Sequence, residues 1–202
     1  MKTNVINLKK IGFPILKEFD SNCWIAGGAI SDFFLGKECK NLDIFFPNAV
    51  EKKKAVEKLI SLGGKMREGE SNTMGSPTVF EYEGNAINII HLGTTPEACI
   101  TRFDYTVCCA AIDKKGNFYY HEKYFEHLGN KEIHYIGNHP NINFKNKSRR
   151  LQKYLNKGYL IRKKNLNLWL TKLIQDQNRA RNKKSVIITE FKIIKQKLTK
   201  SN

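Results

Sequence analysis

Acidic residues almost vanish from the end of this chain. Residues 145–202 hold only Asp176 and Glu190 against 18 Lys and Arg, whereas residues 1–144 carry 17 of each sign. The formal net charge of +16 therefore belongs wholly to the C-terminal region. A neutral head with a strongly basic tail points to an anionic partner, most simply nucleic acid; a solvated basic helix surface or an acidic protein partner fits the same charge. Also missing is any apolar run near the ~18 residues that would span a bilayer. The opening MKTNVINLKK is broken by Lys9 and Lys10 before an apolar signal-peptide core can form. The five cysteines (Cys23, Cys39, Cys99, Cys108, Cys109) show no CxxC spacing and an odd count. They read as reduced, structural thiols of a cytoplasmic protein. The five histidines are scattered without metal-ligand spacing, so no zinc site is expected. Abundant Lys and Asn suggest an AT-rich genome, of a phage or a low-GC bacterium.

At 202 residues there is room for one domain with a sizeable core plus an appendage. The most informative stretch is Trp24 to Phe46, WIAGGAISDFFLGKECKNLDIFF. An apolar start runs into Gly27-Gly28, and Ala29 to Leu35 carry apolar groups at helical spacing up to Gly36, so the pattern predicts strand, glycine turn, helix. Paired glycines let a ligand approach the backbone, and unpaired N–H groups of the new helix suit a phosphate. The run Asn41 to Phe46 is β-branched and aromatic enough for a buried strand. Alternation places Asn41 and Asp43 on one of its faces and Leu42 on the other. Two oxygen-bearing side chains two residues apart, facing a glycine turn, suit Mg²⁺ beside a triphosphate, with Mn²⁺ as the alternative. By itself a glycine pair is equally an ordinary turn, and Asp43 equally a solvated strand end.

Further along, Asn48 caps a helix predicted over 49–62, closed by Gly63-Gly64, and the polar stretch 65–76 reads as a loop. Residues 78–82 and 86–91 form a hairpin around Gly84-Asn85. Thr95-Pro96 opens a helix, and residues 102–113 and 118–121 lead into two more strands. Within 102–113, Asp104 is either a nucleotide contact, a structural cap or the partner of Arg102. Residues 1–22 carry Ile6, Leu8, Ile11, Phe13, Ile15, Leu16 and Phe19 without a clean period, a strand or helix beside the glycine turn. Beyond Pro140 the pattern changes to basic amphipathic helices: one capped by Ser148 and ended by Gly158, one over 165–174, and one over 186–198. These divide the chain into a head, residues 1–140, and a basic helical neck and tail, residues 141–202.

The glycine-turn segment resembles the head domain of tRNA nucleotidyltransferases and bacterial poly(A) polymerases, in the polymerase-β-like nucleotidyltransferase superfamily. That pattern, GGxVRDxLLG then a short loop and DxD, falls without a gap on Gly27 to Gly36 and Asn41 to Asp43. Ser31 stands where the family has a phosphate-binding Arg, and Asn41 where it has the first metal carboxylate. Residues 102–113 are similar to the RRDFTINALAYD motif, with Cys108 in place of its Asn, and YFEHLGNKEIHYIG to DLxxGxLRxIG, so the likeness spans about Trp24 to Gly137. The neck position lacks the family's EDxxR-type base-reading motif. Asn88, on the strand where several branches keep a third metal carboxylate, carries none.

The resemblance implies an α+β fold, a mixed sheet with flanking helices, followed by the small basic helical region. It implies Mg²⁺-dependent transfer of a nucleotidyl group from an NTP to an RNA 3′ end, as in tRNA processing, or to another acceptor. Asp43 and Asn41 would serve as catalytic metal ligands, and Gly27, Gly28, Ser31, Asp32, Arg102 and Asp104 would bind nucleotide. RNA, tRNA being one candidate, would lie on Arg149, Arg150, Lys153, Arg162, Lys163, Lys164, Arg179, Arg181, Lys183 and Lys184. Losing one metal carboxylate in such sites costs about 4–6 kcal/mol of barrier, so the second reading is a catalytically degenerate protein of the same fold that binds nucleic acid or a partner protein.

Overall fold

A single mixed β-sheet organises the chain. The computed structural model describes residues 4–5, 13–39, 41–67, 77–137 and 144–179, with side chains from residue 146 to 175 in the last segment. The predicted helix over 186–198, and with it Arg181, Lys183 and Lys184, lies outside the described residues. The strands are β1 (Asn4–Val5), β2 (Trp24–Ala26), β3 (Asn41–Phe46), β4 (Lys65–Met66), β5 (Thr78–Tyr82), β6 (Asn85–His91), β7 (Ala110–Asp113) and β8 (Asn117–Tyr120). They run in the order β1-β8-β7-β2-β3-β6-β5-β4. Only β3 and β6 pair in parallel, the crossover between them carrying a helix as parallel neighbours require. The helices are α1 (Gly28–Phe34), α2 (Ala49–Ser61), α3 (Pro96–Ile100), α4 (Tyr124–Gly129), α5 (Phe144–Asn156) and α6 (Lys163–Arg179), with 3-10 turns at Pro14–Glu18 and Thr106–Cys108.

Local chemistry sets most of these boundaries. Asn48 accepts from the Glu51 amide at 2.9 Å and starts α2, and Thr95 does the same for α3 from Ala98. The β5–β6 hairpin turns on Glu83 and Gly84, both at positive φ (48° and 75°), the combination that matches strand twist. Ser148 differs from its expected place: α5 begins at Phe144, one turn earlier, so Ser148 lies inside the helix, buried, without a hydrogen-bond partner for its hydroxyl. The segment 124–137 folds as α4 followed by isolated bridges, Tyr105 to Tyr135 and Glu132 to Leu160.

Alternation sorts the strands onto two cores. Ile25, Leu42, Ile44, Phe46, Ile87, Ile89, Ala110 and Ile112 face the larger one, which also holds Ala29 and Ile30 of α1 and Leu59 of α2. Trp24, Ala26, Phe45 and Ala111 face a smaller one closed by Cys99 and Ile100 of α3. Residues 144–175 are joined to the head: Leu151, Tyr154, Tyr159, Trp169 and Leu173 belong to the larger core, Trp169 being 1% exposed. At about 25 cal/mol per Å² of buried apolar surface, such aromatic side chains anchor α5 and α6 firmly against the sheet.

Candidate nucleotide site

The parallel β3–β6 pair builds the site. Its register sets Asp43 opposite Asn88, with Asn41 one alternation away on the same face. The Asn88 amide nitrogen donates to Asp43 Oδ1 at 2.6 Å and to Asn41 Oδ1 at 3.2 Å, so the three side chains form one connected row. Asn41 is exposed, while Asp43 and Asn88 are half-buried. Partial burial raises the Asp43 carboxyl above its usual range, against the hydrogen bond from Asn88 and the charges of Lys153 and Arg150. Both cations come from α5.

The glycine turn lies beside it. Gly27 sits at φ 87°, a conformation that a side chain would strain, and its amide donates to the Ala110 carbonyl at 3.0 Å. A Cβ at Gly27 would lie 3.8 Å from the Phe103 ring, and one at Gly28 would lie 3.7 Å from the Tyr154 hydroxyl. Phe103 and Tyr154 of α5 therefore wall the turn on two sides.

The other expected nucleotide contacts are committed within the protein. Ser31 is 2% exposed, and its hydroxyl bonds the Val107 carbonyl and lies 3.2 Å from Tyr124 Oη, so its side chain faces the core rather than a phosphate. Asp32 takes Lys157 Nζ on both oxygens at 2.7 and 2.8 Å. Asp104, 2% exposed, is held in a bidentate pair by Arg150, whose Nε and Nη2 donate at 2.7 Å. Arg102 is not brought to Asp104; it is exposed and donates to the Leu92 carbonyl at 3.3 Å. Burial pushes the Cys108 thiol up to about 12, and its sulfur lies 2.6 Å from Tyr154 Oη, so it is a neutral packing group.

Among the expected basic contacts, Arg149, Lys153, Lys163 and Lys164 are exposed, but Arg150 and Arg162 are paired with head acids, Arg162 with Glu132 at 2.8 Å. The Arg179 side chain lies outside the described ones. The docking role of α5 was missed by sequence reasoning. Its signal was present: Arg150, Tyr154 and Lys157 recur at i, i+4 and i+7, one helix face, yet each was counted only as charge or apolar bulk.

A two-metal centre does not fit these residues. The three row positions supply one carboxylate, Asn88 spends its amide donor on that carboxylate, and two cations of α5 already act on it. Among the described residues no group of three or more His, Cys, Asp or Glu could hold a metal ion. Hard divalent cations are retained by carboxylate charge, and the row supplies one carboxylate only.

Comparisons with known proteins agree with the fold. A Thermotoga maritima CCA-adding enzyme complexed with tRNA matches with a TM-score of 0.63 and 17% identity over 85% of this chain and 44% of that one. A CCA-adding enzyme in complex with ATP matches with a TM-score of 0.65 and 16% identity over 87% of this chain and 45% of that one. The chain thus has the nucleotidyltransferase fold of these enzymes. Among the described residues no helix is long and apolar enough to cross a membrane. The curated relative "Gabija anti-defense 2" of Bacillus phage SPbetaL7 is 31% identical over 144 residues, 69% of this chain; the chain spans only 34% of that relative's length. The profile described as "Gabija anti-defense 2 family protein" matches residues 3–131. The chain belongs to the Gabija anti-defense 2 family.

Proposed function

We propose that this chain binds a nucleotide on its nucleotidyltransferase-type head and works against Gabija defence by holding that nucleotide rather than transferring it. One observation carries the reading: the Asn41, Asp43, Asn88 row has a single carboxylate, bridged by an amide donor where transfer through two metal ions calls for further acid oxygens. The nucleotide would lie between the row, the Gly27-Gly28 turn and α5, with Phe103 and Tyr154 as apolar walls. Exposed Arg149, Lys163 and Lys164 extend the surface toward an RNA strand, whose binding would weaken with added salt.

A second reading is Mg²⁺-dependent nucleotidyl transfer to an RNA 3′ end. It is favoured by Asp43, which keeps its strand, its face and its place beside the glycine turn. Incubating the protein with each labelled NTP, Mg²⁺ or Mn²⁺ and a mixed RNA pool separates the two. The holding reading expects equilibrium binding of nucleotide and no label transfer above an Asp43→Ala control. Transfer that depends on Asp43 would overturn it in favour of the second. Plaque counts on a host carrying Gabija then show whether Asp43→Ala still protects the phage.

A further inference from the structure

Resting on the nucleotide-holding reading, we infer that the phosphates are bound without a divalent metal, on Lys153 Nζ and the amide –NH₂ of Asn41.

The direction of the row's hydrogen bonds is the starting point. An ionised Asp43 can only accept, so Asn88 must turn its Nδ2 toward it. The same nitrogen reaches Asn41 Oδ1, which uses both Asn88 N–H groups and obliges Asn41 to present its oxygen inward. Asn41 is exposed, and its –NH₂ group has no hydrogen-bond partner among the described residues. At the strand position where the resemblance expects a carboxylate to attract a cation, this protein offers donors to an anion.

The α5 helix supplies the charge. Arg150, in the middle of α5, spends Nε and Nη2 on Asp104, and Lys157, one residue past its end, grips Asp32, so the helix is held to the head at two points. Lys153 lies between them, is exposed, and takes part in no ion pair among the described residues. The next residue, Tyr154, has its hydroxyl 3.7 Å from where a Cβ at Gly28 would lie, so this stretch of α5 stands beside the glycine turn, and the Lys153 charge acts on Asp43. A divalent cation entering there finds a single carboxylate, already holding an amide donor, whereas a polyphosphate finds an ammonium in no ion pair among the described residues and a second amide donor. Asp43 Oδ2 and Asn88 Oδ1 remain as acceptors, suited to the hydroxyl groups of a ribose. A nucleoside polyphosphate, with hydroxyl donors at one end and anionic oxygens at the other, matches both sets.

Calorimetric titration with ATP, GTP, CTP, UTP and inorganic tripolyphosphate, each in EDTA and in Mg²⁺ at constant ionic strength, tests this. A nucleotide should bind in EDTA within about threefold of its affinity in Mg²⁺. Lys153→Ala and Asn41→Ala, both exposed positions whose folding is checked by thermal melts, should each weaken binding in EDTA about tenfold, the size of one lost charge-assisted hydrogen bond. Asn41→Asp should abolish binding in EDTA and restore it only with Mg²⁺. Nucleotide binding that requires Mg²⁺ in the natural protein, or that ignores Lys153→Ala, would overturn the metal-free site while leaving the holding reading intact. No binding of any nucleotide under either condition would overturn the holding reading itself.

Discussion

Asp43 and Asp104 both stand in stretches that resemble nucleotidyltransferase motifs, and the protein treats them in opposite ways. Asp104 is buried against the head and answered by a bidentate arginine from α5, at 2.7 Å on each oxygen. Asp43, on β3, makes no ion pair among the described residues; an amide holds one oxygen, and partial burial raises its carboxyl above the ordinary range. A buried carboxylate with a matched cation is architecture, because its charge is spent on holding two elements together. One left with an amide and open on its other oxygen keeps unspent interaction for a ligand, at some expense of stability.

The largest break in this contrast comes from the docked side. Arg150→Ala leaves Asp104 buried and unpaired, and we expect a loss of about 3 kcal/mol, a fall in Tm of about 6–12 °C for a chain of this size. Denaturant titration measures it, and replacing the pair together, Asp104→Leu with Arg150→Met, should recover most of the loss. A fall of less than about 1 kcal/mol for Arg150→Ala alone would mean that the pair does not anchor α5. Lys157→Ala removes the other clamp, but its side chain and that of Asp32 are 28% and 19% exposed, so water compensates more. A cost near 1 kcal/mol is expected from the same titration.

The smallest effect has the opposite sign. Asp43→Asn should stabilise the protein by about 0.5–1 kcal/mol at neutral pH, since an amide needs no solvation of charge. The folded state holds the Asp43 proton more tightly than the unfolded chain does, so stability declines as pH rises from the ordinary carboxyl value of 3.8 to the raised folded one. The penalty is complete above both values and absent below both. Melting curves of the two proteins should therefore converge as the pH is lowered and separate toward neutrality. A gap independent of pH would place the cost elsewhere than in the charge of Asp43.

Much of the fold was legible because its signals are local. The Asn48 cap, the Gly27 turn at positive φ and the alternation through Asn41, Leu42 and Asp43 are written in neighbouring residues and took the expected places, while the β5–β6 hairpin turns on Glu83-Gly84, one residue before the expected Gly84-Asn85. Ser148 misled because serine starts helices often, yet here Phe144 had already begun one and the hydroxyl was carried inside. Arg150 and Lys157 were counted with the basic tail because sequence shows that a side chain is charged and not what it meets. Their partners stand 46 and 125 residues away.

The amino-acid sequence alone determined the alternation, the turns and the caps, and so the head's strands and the short list of polar groups at the β3 site. Tertiary structure alone decided which acids stay available. Burial and pairing depend on elements distant in the chain coming within hydrogen-bond reach, and only the docking of α5 neutralises Asp32 and Asp104 while leaving Asp43 open.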